Sequence, residues 1–383
     1  MIVYRQIEPF DVLYLRGNRL FGGAGQHGEA QIPPWPSVFA GAMASRILAD
    51  KELITRITKN PQDANTILIN AAGKDFACIF LGIARENKLF LPLPNDLVAF
   101  EDEQDSTQIS LSPIRPQKVP EELSCSSVLP MLPVVETETR VKPVSGIWMD
   151  MEGWKLHLDG QLPEMGQLIS SSKLWSKDSR LGIARDLTTK TAAEGKIYTS
   201  EAIALSTQTT FIAGFAGSAN AIPSDGLLRL GGDGRGAAIA EANVFPDNDM
   251  GRPKSGWSGF RMILISPGIF PNGWLPPGCQ SENDGYYLYV NGLKARLEAA
   301  SIGRPQTISG WNLAKHEPKP ARKVVPTGSV YWFKVMEGDT ASLEPLWENS
   351  LYAAEVNLSD ELNVDRKREG FSRVWFGKWE SNF

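Results

Sequence analysis

Apolar residues fall in short runs along this chain, and the elements they predict are mostly strands. Ile2 to Leu15 is rich in β-formers but contains Glu8-Pro9, which predicts a strand that breaks and resumes. A glycine-rich polar loop follows, Arg16 to Gln31, with Arg16, Arg19 and His27 in it. Pro33-Pro34-Trp35-Pro36 ends the loop. Apolar spacing then predicts a helix over Val38 to Leu48, with Ser37 as its N-cap. Phe76 to Arg85 and Lys88 to Leu93 read as a hairpin turning at Glu86-Asn87. The order strand, loop, helix, strand, strand is the opening of a ferredoxin-like βαββαβ unit.

From Pro94 to Pro143 prolines recur and periodicity is poor. Glu101 to Asp105 is an acidic run, so the expectation here is a solvated insertion. Arg180 to Phe215 gives two β-like stretches around a polar turn, Asp186 to Gly195, which reads as a long hairpin projecting from a sheet. Ala237 to Phe245 predicts a short strand. Asp247 to Gly256, rich in Asp, Gly and Pro, is the candidate boundary, dividing the chain into residues 1–250 and 251–383. In the second part Phe260 to Ser266, Val330 to Val335 and Arg373 to Trp379 predict strands. Tyr286 to Val290 and Ala295 to Ile302 read as β or partly helical. No repeat period stands out.

One stretch carries more chemical information than any other: Leu227 to Ala237. Gly231, Gly232, Gly234 and Gly236 stand within it. Glycine has no Cβ to clash at positive φ, so such a loop can turn sharply and present several N–H groups together. Successive exposed amides form an anion-binding concavity. Arg229 and Arg235 bracket the glycines, and an arginine fork matches phosphate geometry. A plain tight turn explains the glycines alone; the flanking arginines favour a site for a sugar-phosphate backbone.

Two further basic clusters point the same way. Arg180, Arg185 and Lys190 lie on the predicted hairpin with Thr188 and Thr191, followed by Lys196 and Tyr198. Cations neutralise phosphates, while hydroxyls and tyrosine reach sugar or base. Arg304, Trp311, Lys315, His316, Lys319, Arg322 and Lys323 interleave an aromatic with bases, as single-strand binders do. A solvated hairpin and a core tryptophan are the plain alternatives.

Overall charge narrows this picture. The 383 residues carry a formal net charge of −5, so any polyanion site is a local patch on an acidic body. A hydrophobic fraction of 42% is enough for a real core, and the length predicts about two or three domains. Cys78, Cys125 and Cys279 are too few and scattered for a disulfide framework or thiolate metal site, and read as reduced thiols of a cytoplasmic protein. No signal-peptide pattern or membrane-length apolar run is present.

Catalytic patterns are scarce. His27, His157 and His316 are the three histidines, none in a zinc-ligand spacing. No nucleophile elbow, P-loop or kinase signature occurs. Gly231-Gly232-Asp233 resembles the Gly-Gly-Asp hairpin of nucleotidyl cyclases, but that chemistry needs at least two carboxylates on metal, and Asp233 stands alone beside Arg235. His27, in a loop with Arg16 and Arg19, could serve as base in a metal-independent RNA cleavage. A loop histidine that merely packs is the plain alternative. The expectation is therefore no catalytic residue, no metal and no cofactor.

These patches, taken in order, resemble a known family. Ile7 to Arg16 with Phe21-Gly22, Pro33 to Val38, Arg180-x-Gly182-Ile183-x-x-Asp186 with Thr191-Ala192 and Gly195-x-x-Tyr198, and Leu228 to Arg235 carry the resemblance. Gly303-Arg304-Pro305, Ser309-Gly310-Trp311 and Val325 to Tyr331 extend it. The chain resembles the repeat-associated mysterious protein (RAMP) superfamily of CRISPR antiviral systems, and within it the third Cmr subunit of type III-B effector complexes. The resemblance implies an α+β fold of two ferredoxin-like, RNA-recognition-type domains. It implies a non-catalytic subunit near the 5′ tag of the guide (CRISPR) RNA, docked on the large cyclase-like subunit among other RAMP subunits. Arg16, Arg19, Arg180, Arg185, Lys190, Arg229, Arg235, Arg304 and Lys315, with Gly231, Gly232 and Gly234, are then the expected RNA contacts. The superfamily also contains guide-processing ribonucleases, which keeps His27 in play, and a protein-only scaffold is the other alternative. Two departures from the superfamily's pattern are Ser372 after Gly370-Phe371 and the acidic Asp233.

Overall fold

The computed structural model describes residues 2–15, 27–101, 109–120, 125–137, 142–186, 188–354 and 361–380. The fold is mixed, mostly strands with few helices. Two compact units share the chain in alternating segments. The first takes residues 1–87, 172–245 and 307–322; the second takes 88–171, 246–306 and 323–383.

In the first unit, four strands in sequence order are Ile2–Pro9, Ala77–Arg85, Thr209–Ala216 and Arg235–Glu241. They lie in the spatial order second, third, first, fourth, and every pair is antiparallel. The first strand is central: Ile7 pairs with Phe211 on one side and with Ile239 on the other. All three side chains are buried on one face. The helix Pro36–Asp50 covers that face with Phe39, Ala40, Met43 and Ile47, positions that repeat on one side of a 3.6-residue helix. The Phe39 ring meets Phe211 edge-on at 5.0 Å. This helix starts earlier than expected. Pro36 occupies the first turn, where its fixed φ suits the helix and its missing N–H costs nothing, and Trp35 takes the cap position in place of Ser37.

Between the third and fourth strands no long helix forms. A short 3₁₀ turn, Ala219–Ala221, leads into the strand Gly226–Leu230, which pairs with the fourth strand and closes through the glycine loop. Arg5, buried under this connection, donates to the Pro223 carbonyl at 2.6 Å and to the Tyr4 and Ile222 carbonyls, so its charge is spent on loop backbone.

The second unit repeats the same strand order with different elements between. Its four strands are Gly259–Leu264, Leu293–Ser301, Val330–Glu337 and Val374–Lys378, again ordered second, third, first, fourth. Here the helical segments, among them Glu344–Asn349 and Glu361–Arg368, come between the third and fourth strands. A strand pair, Cys279–Glu282 and Gly285–Val290, occupies the place between the first and second, so the stretch around Tyr286 and the one around Ala295 are both strands. Phe260 stacks on Phe333 at 5.1 Å, and Leu343, Leu346 and Leu351 close the core over them.

Pro94 to Pro143 is more ordered than its prolines imply. Leu97–Glu101, Ile109–Lys118 and Met131–Val135 pair antiparallel, with Pro143–Val144 at one edge. Proline removes only one donor and suits short outer strands, and here Pro116 stands opposite Pro133. Leu97, Ala99 and Phe100 are buried.

Inside this second unit lies a buried ionic triad. Arg261 donates to Asp96 Oδ2 at 2.7 Å and to the His157 carbonyl at 2.5 Å. His157 Nε2 sits 2.8 Å from Asp96 Oδ1. Burial favours a neutral Asp96, yet the opposing charges of His157 and Arg261 outweigh it and hold its pKa down to about 2. The pKa of His157 is lowered, first by burial and then by the charge of Arg261.

Candidate nucleic-acid interface

The glycine loop closes the hairpin between Gly226–Leu230 and Arg235–Glu241. Gly231 has φ +72°, Asp233 +58° and Gly234 +62°, so the backbone uses the left-handed region repeatedly, as the glycines predict. The demand at Gly231 is steric as well. A Cβ there would stand 2.9 Å from the Tyr14 carbonyl oxygen, because the segment after the first strand passes directly beneath the loop.

That segment, Asp11 to Leu15, organises the site. Leu13 exchanges both backbone hydrogen bonds with Ile203 on an arm of the long hairpin, each 2.8 Å. The Tyr14 carbonyl accepts the Gly232 N–H at 2.8 Å. Neighbouring residues of an extended chain direct their backbone groups to opposite sides, so one dipeptide ties the hairpin base to the glycine loop. Side chains reinforce the tie. The Arg235 guanidinium lies over the Tyr14 ring, 5.2 Å from its centroid, and donates to Asp11 Oδ2 at 2.7 Å. Arg180 is held by Asp178 at 2.8 and 3.0 Å. Its pKa is raised, chiefly by that hydrogen bond.

Arg180, Arg229, Arg235 and the loop amides therefore gather on the first unit. Arg229 is exposed, pairs across the hairpin with Gly236 and has no side-chain hydrogen bond or ion pair among the described residues. Phe10 lies exposed against Gly236, 3.0 Å from where a Cβ would stand.

The long hairpin has arms Trp175–Arg185 and Ala192–Leu205. Thr209–Ala216 after it is a separate central strand. Tyr198 lies across Gly182, its register partner, where any Cβ would run into the ring. The tip is fixed by Asp186, which accepts N–H bonds from Thr188 and Thr189, each 2.8 Å. The same bonds lower its pKa. Arg185 donates to the Lys190 carbonyl at 3.1 and 3.2 Å. Arg185 and Lys190 thus stand at the tip, roughly 17 Å along the arm from Arg180. Lys315 is exposed in the turn of a small hairpin, Trp311–Asn312 with Glu317–Pro318, and Trp311 beside it is 59% exposed. Arg304 is exposed on the second unit. Arg16 and Arg19 lie outside the described residues, as does the side chain of His27, whose backbone pairs with Thr199 of the hairpin. Asp11 and Tyr14 were not legible as site residues. Only the aromatic at Tyr14, two places before Arg16, hinted at the role.

Among the described residues no group of three or more His, Cys, Asp and Glu side chains could hold a metal ion. No helix of the described residues is long and apolar enough to cross a membrane.

The sequence pattern of one protein family, CRISPR-associated protein (Cas_Cmr3), matches residues 5–379, nearly the full chain. The chain belongs to the Cas_Cmr3 family. Two solved structures share the Cas_Cmr3 chain's fold. One is a chain of the type III-B Cmr-beta complex bound to cognate target RNA and AMPPnP, with TM-score 0.54 and 14% identity, covering 97% of this chain and 98% of that one. The other is a chain of type III-B Cmr-beta bound to cognate target RNA, with TM-score 0.51 and 15% identity, covering 97% and 96%. No curated protein matches this Cas_Cmr3 chain at significant similarity. The glycine loop, the Arg180 hairpin and the Pro33 to Val38 helix start all fall within the matched region.

Proposed function

We propose that this Cas_Cmr3 chain is a non-catalytic, RNA-binding subunit of a type III-B CRISPR effector complex. It holds the 5′ tag of the guide RNA and docks on the large cyclase-like subunit. The observation that carries this reading is the tie that Leu13 and Tyr14 make between the hairpin bearing Arg180 and the glycine loop bearing Arg235, with Arg229 exposed on that loop's hairpin. Arginine forks beside a glycine loop suit phosphate oxygens and demand no particular base. Family membership supports the assignment to the complex, and the similar chains come from complexes bound to target RNA. The antiparallel order second, third, first, fourth, present twice, is that of ferredoxin-like units, and we read both units as RNA-recognition-type domains. Arg185, Lys190 and Lys315 are further candidate contacts on the first unit, and Arg304 is one on the second unit taken by itself.

The test is fluorescence anisotropy with a labelled single-stranded RNA carrying a repeat-derived 5′ tag, at several salt concentrations. Replacing Arg229 and Arg235 together by alanine should weaken binding and flatten the log–log salt slope by about 0.7 for each phosphate that is no longer neutralised. Unchanged affinity and slope would remove the glycine loop from the interface. A gel of the same samples should show intact RNA; cleavage that survives a chelator but not His27→Ala would replace this reading with a nuclease.

A further inference from the structure

Two basic features of the first unit, the long hairpin and the glycine loop, are not independent patches. Leu13 and Tyr14 form a two-sided splint. Leu13 is bonded twice to Ile203 of the hairpin, and Tyr14 accepts the Gly232 amide of the glycine loop. The Tyr14 ring then carries Arg235 on its face, and Arg180 stands on the long hairpin opposite Ser200, which is three residues from Ile203. Asp11, three residues earlier, fixes the other side of Arg235. One guanidinium group thereby rests on the Tyr14 ring, and a second stands on the hairpin that the same dipeptide holds.

We infer that Tyr14 is a positioning residue that couples the hairpin arginine, Arg180, to the glycine-loop arginine, Arg235, so that a sugar-phosphate backbone meets them as one two-pronged clamp. The inference rests on the RNA-binding reading above. Its physical basis is preorganisation: a cation held against a ring face and an ion partner loses less freedom when phosphate arrives. A clamp with two prongs fixed on one support gains from both together, and forfeits most of the gain when either is removed. Independent arginines would give up their contributions separately.

A double-mutant cycle on the full-length chain decides this, read as RNA affinity by anisotropy with the 5′-tagged single strand. Arg180→Ala and Arg235→Ala are measured singly and together, in the wild-type background and in Tyr14→Leu. In the wild-type background the double variant should bind about three- to tenfold more tightly than the product of the single losses predicts. In Tyr14→Leu that coupling should vanish and the losses should simply multiply. Tyr14→Phe keeps the ring under Arg235 and the backbone ties of the splint, so it should retain both the coupling and the loss from Arg235→Ala. It also guards against a folding artefact, since it leaves the backbone bond to Gly232 in place. Losses that multiply in the wild-type background, with each arginine still contributing, overturn the coupling and leave the RNA-binding reading standing. Affinity indifferent to both arginines, or no RNA binding by any form, overturns that reading and the coupling with it.

Discussion

Gly231 and Gly234 both sit at positive φ in the same loop, but they should respond very differently to a methyl group. At Gly231 an added Cβ stands 2.9 Å from the Tyr14 carbonyl oxygen, a backbone atom that cannot swing aside. Relieving that contact separates Tyr14 from the loop and breaks the 2.8 Å bond from the Gly232 N–H. Placing alanine in the left-handed region costs about 1 kcal/mol, and the broken bond about 1 kcal/mol more, with the unrelieved clash on top. At Gly234 the nearest atom to an added Cβ is Arg229 Cδ at 3.7 Å, an ordinary contact, so only the conformational cost of about 1 kcal/mol applies. The assay is native-state hydrogen exchange at the Gly232 amide. Since about 1.4 kcal/mol is tenfold, Gly231→Ala should speed exchange by about thirty- to a hundredfold and Gly234→Ala by no more than about tenfold. Equal acceleration in the two variants would refute the claim that Tyr14 sets the loop's position.

Two further outcomes follow from the charge arrangement. The Asp96–His157–Arg261 triad should make the second unit acid-sensitive: both titrating groups have folded pKa values below their unfolded ones, so the stability they confer is complete at neutral pH. It should start to fall as pH drops below about 6.5, where unfolded His157 takes a proton, and fall further below about 4 as unfolded Asp96 does, down toward its folded value of about 2. Urea titrations across that range should show it, and Asp96→Ala should cost about 3–5 kcal/mol at neutral pH by leaving Arg261 buried and unpaired; a flat pH profile would contradict the triad. Asp11→Asn should weaken RNA binding by up to about fivefold, because the exposed Asp11–Arg235 pair, worth about 0–1 kcal/mol, helps hold Arg235 over Tyr14; tighter binding in the anisotropy assay would mean that Asp11 competes with phosphate for Arg235.

The parts of this fold that were legible in the sequence are those with local causes. The first strand, the proline-started helix, the Glu86-Asn87 turn and the glycine loop each carry their signal within a few residues. Glu86 and Asn87 both take positive φ, as a tight hairpin turn requires. The parts that were not legible depend on residues far apart in sequence. Tyr14 meets Gly232, and Asp96 meets Arg261, through the fold alone. The sheet between Leu97 and Val144 was hidden because its strands contain Pro113, Pro116 and Pro133, which break the alternation that marks a strand. The repeated strand order was hidden for another reason. The two units put helix and hairpin in opposite connections, so equivalent strands fall at unequal spacings and no period survives.

The central position of the first strand also governs the order in which the chain can fold as it is made. Ile2–Pro9 leaves the ribosome long before both of its neighbours, Thr209–Ala216 and Arg235–Glu241. Until Ala216 has been synthesised this strand has two open edges, and until Glu241 has been it keeps one. Contacts this distant close slowly, since the loop entropy is spent before any pairing repays it. An unpaired edge persists until Glu241 is made, so slowing translation between Pro9 and Glu241 should raise aggregation where slowing it afterwards should not.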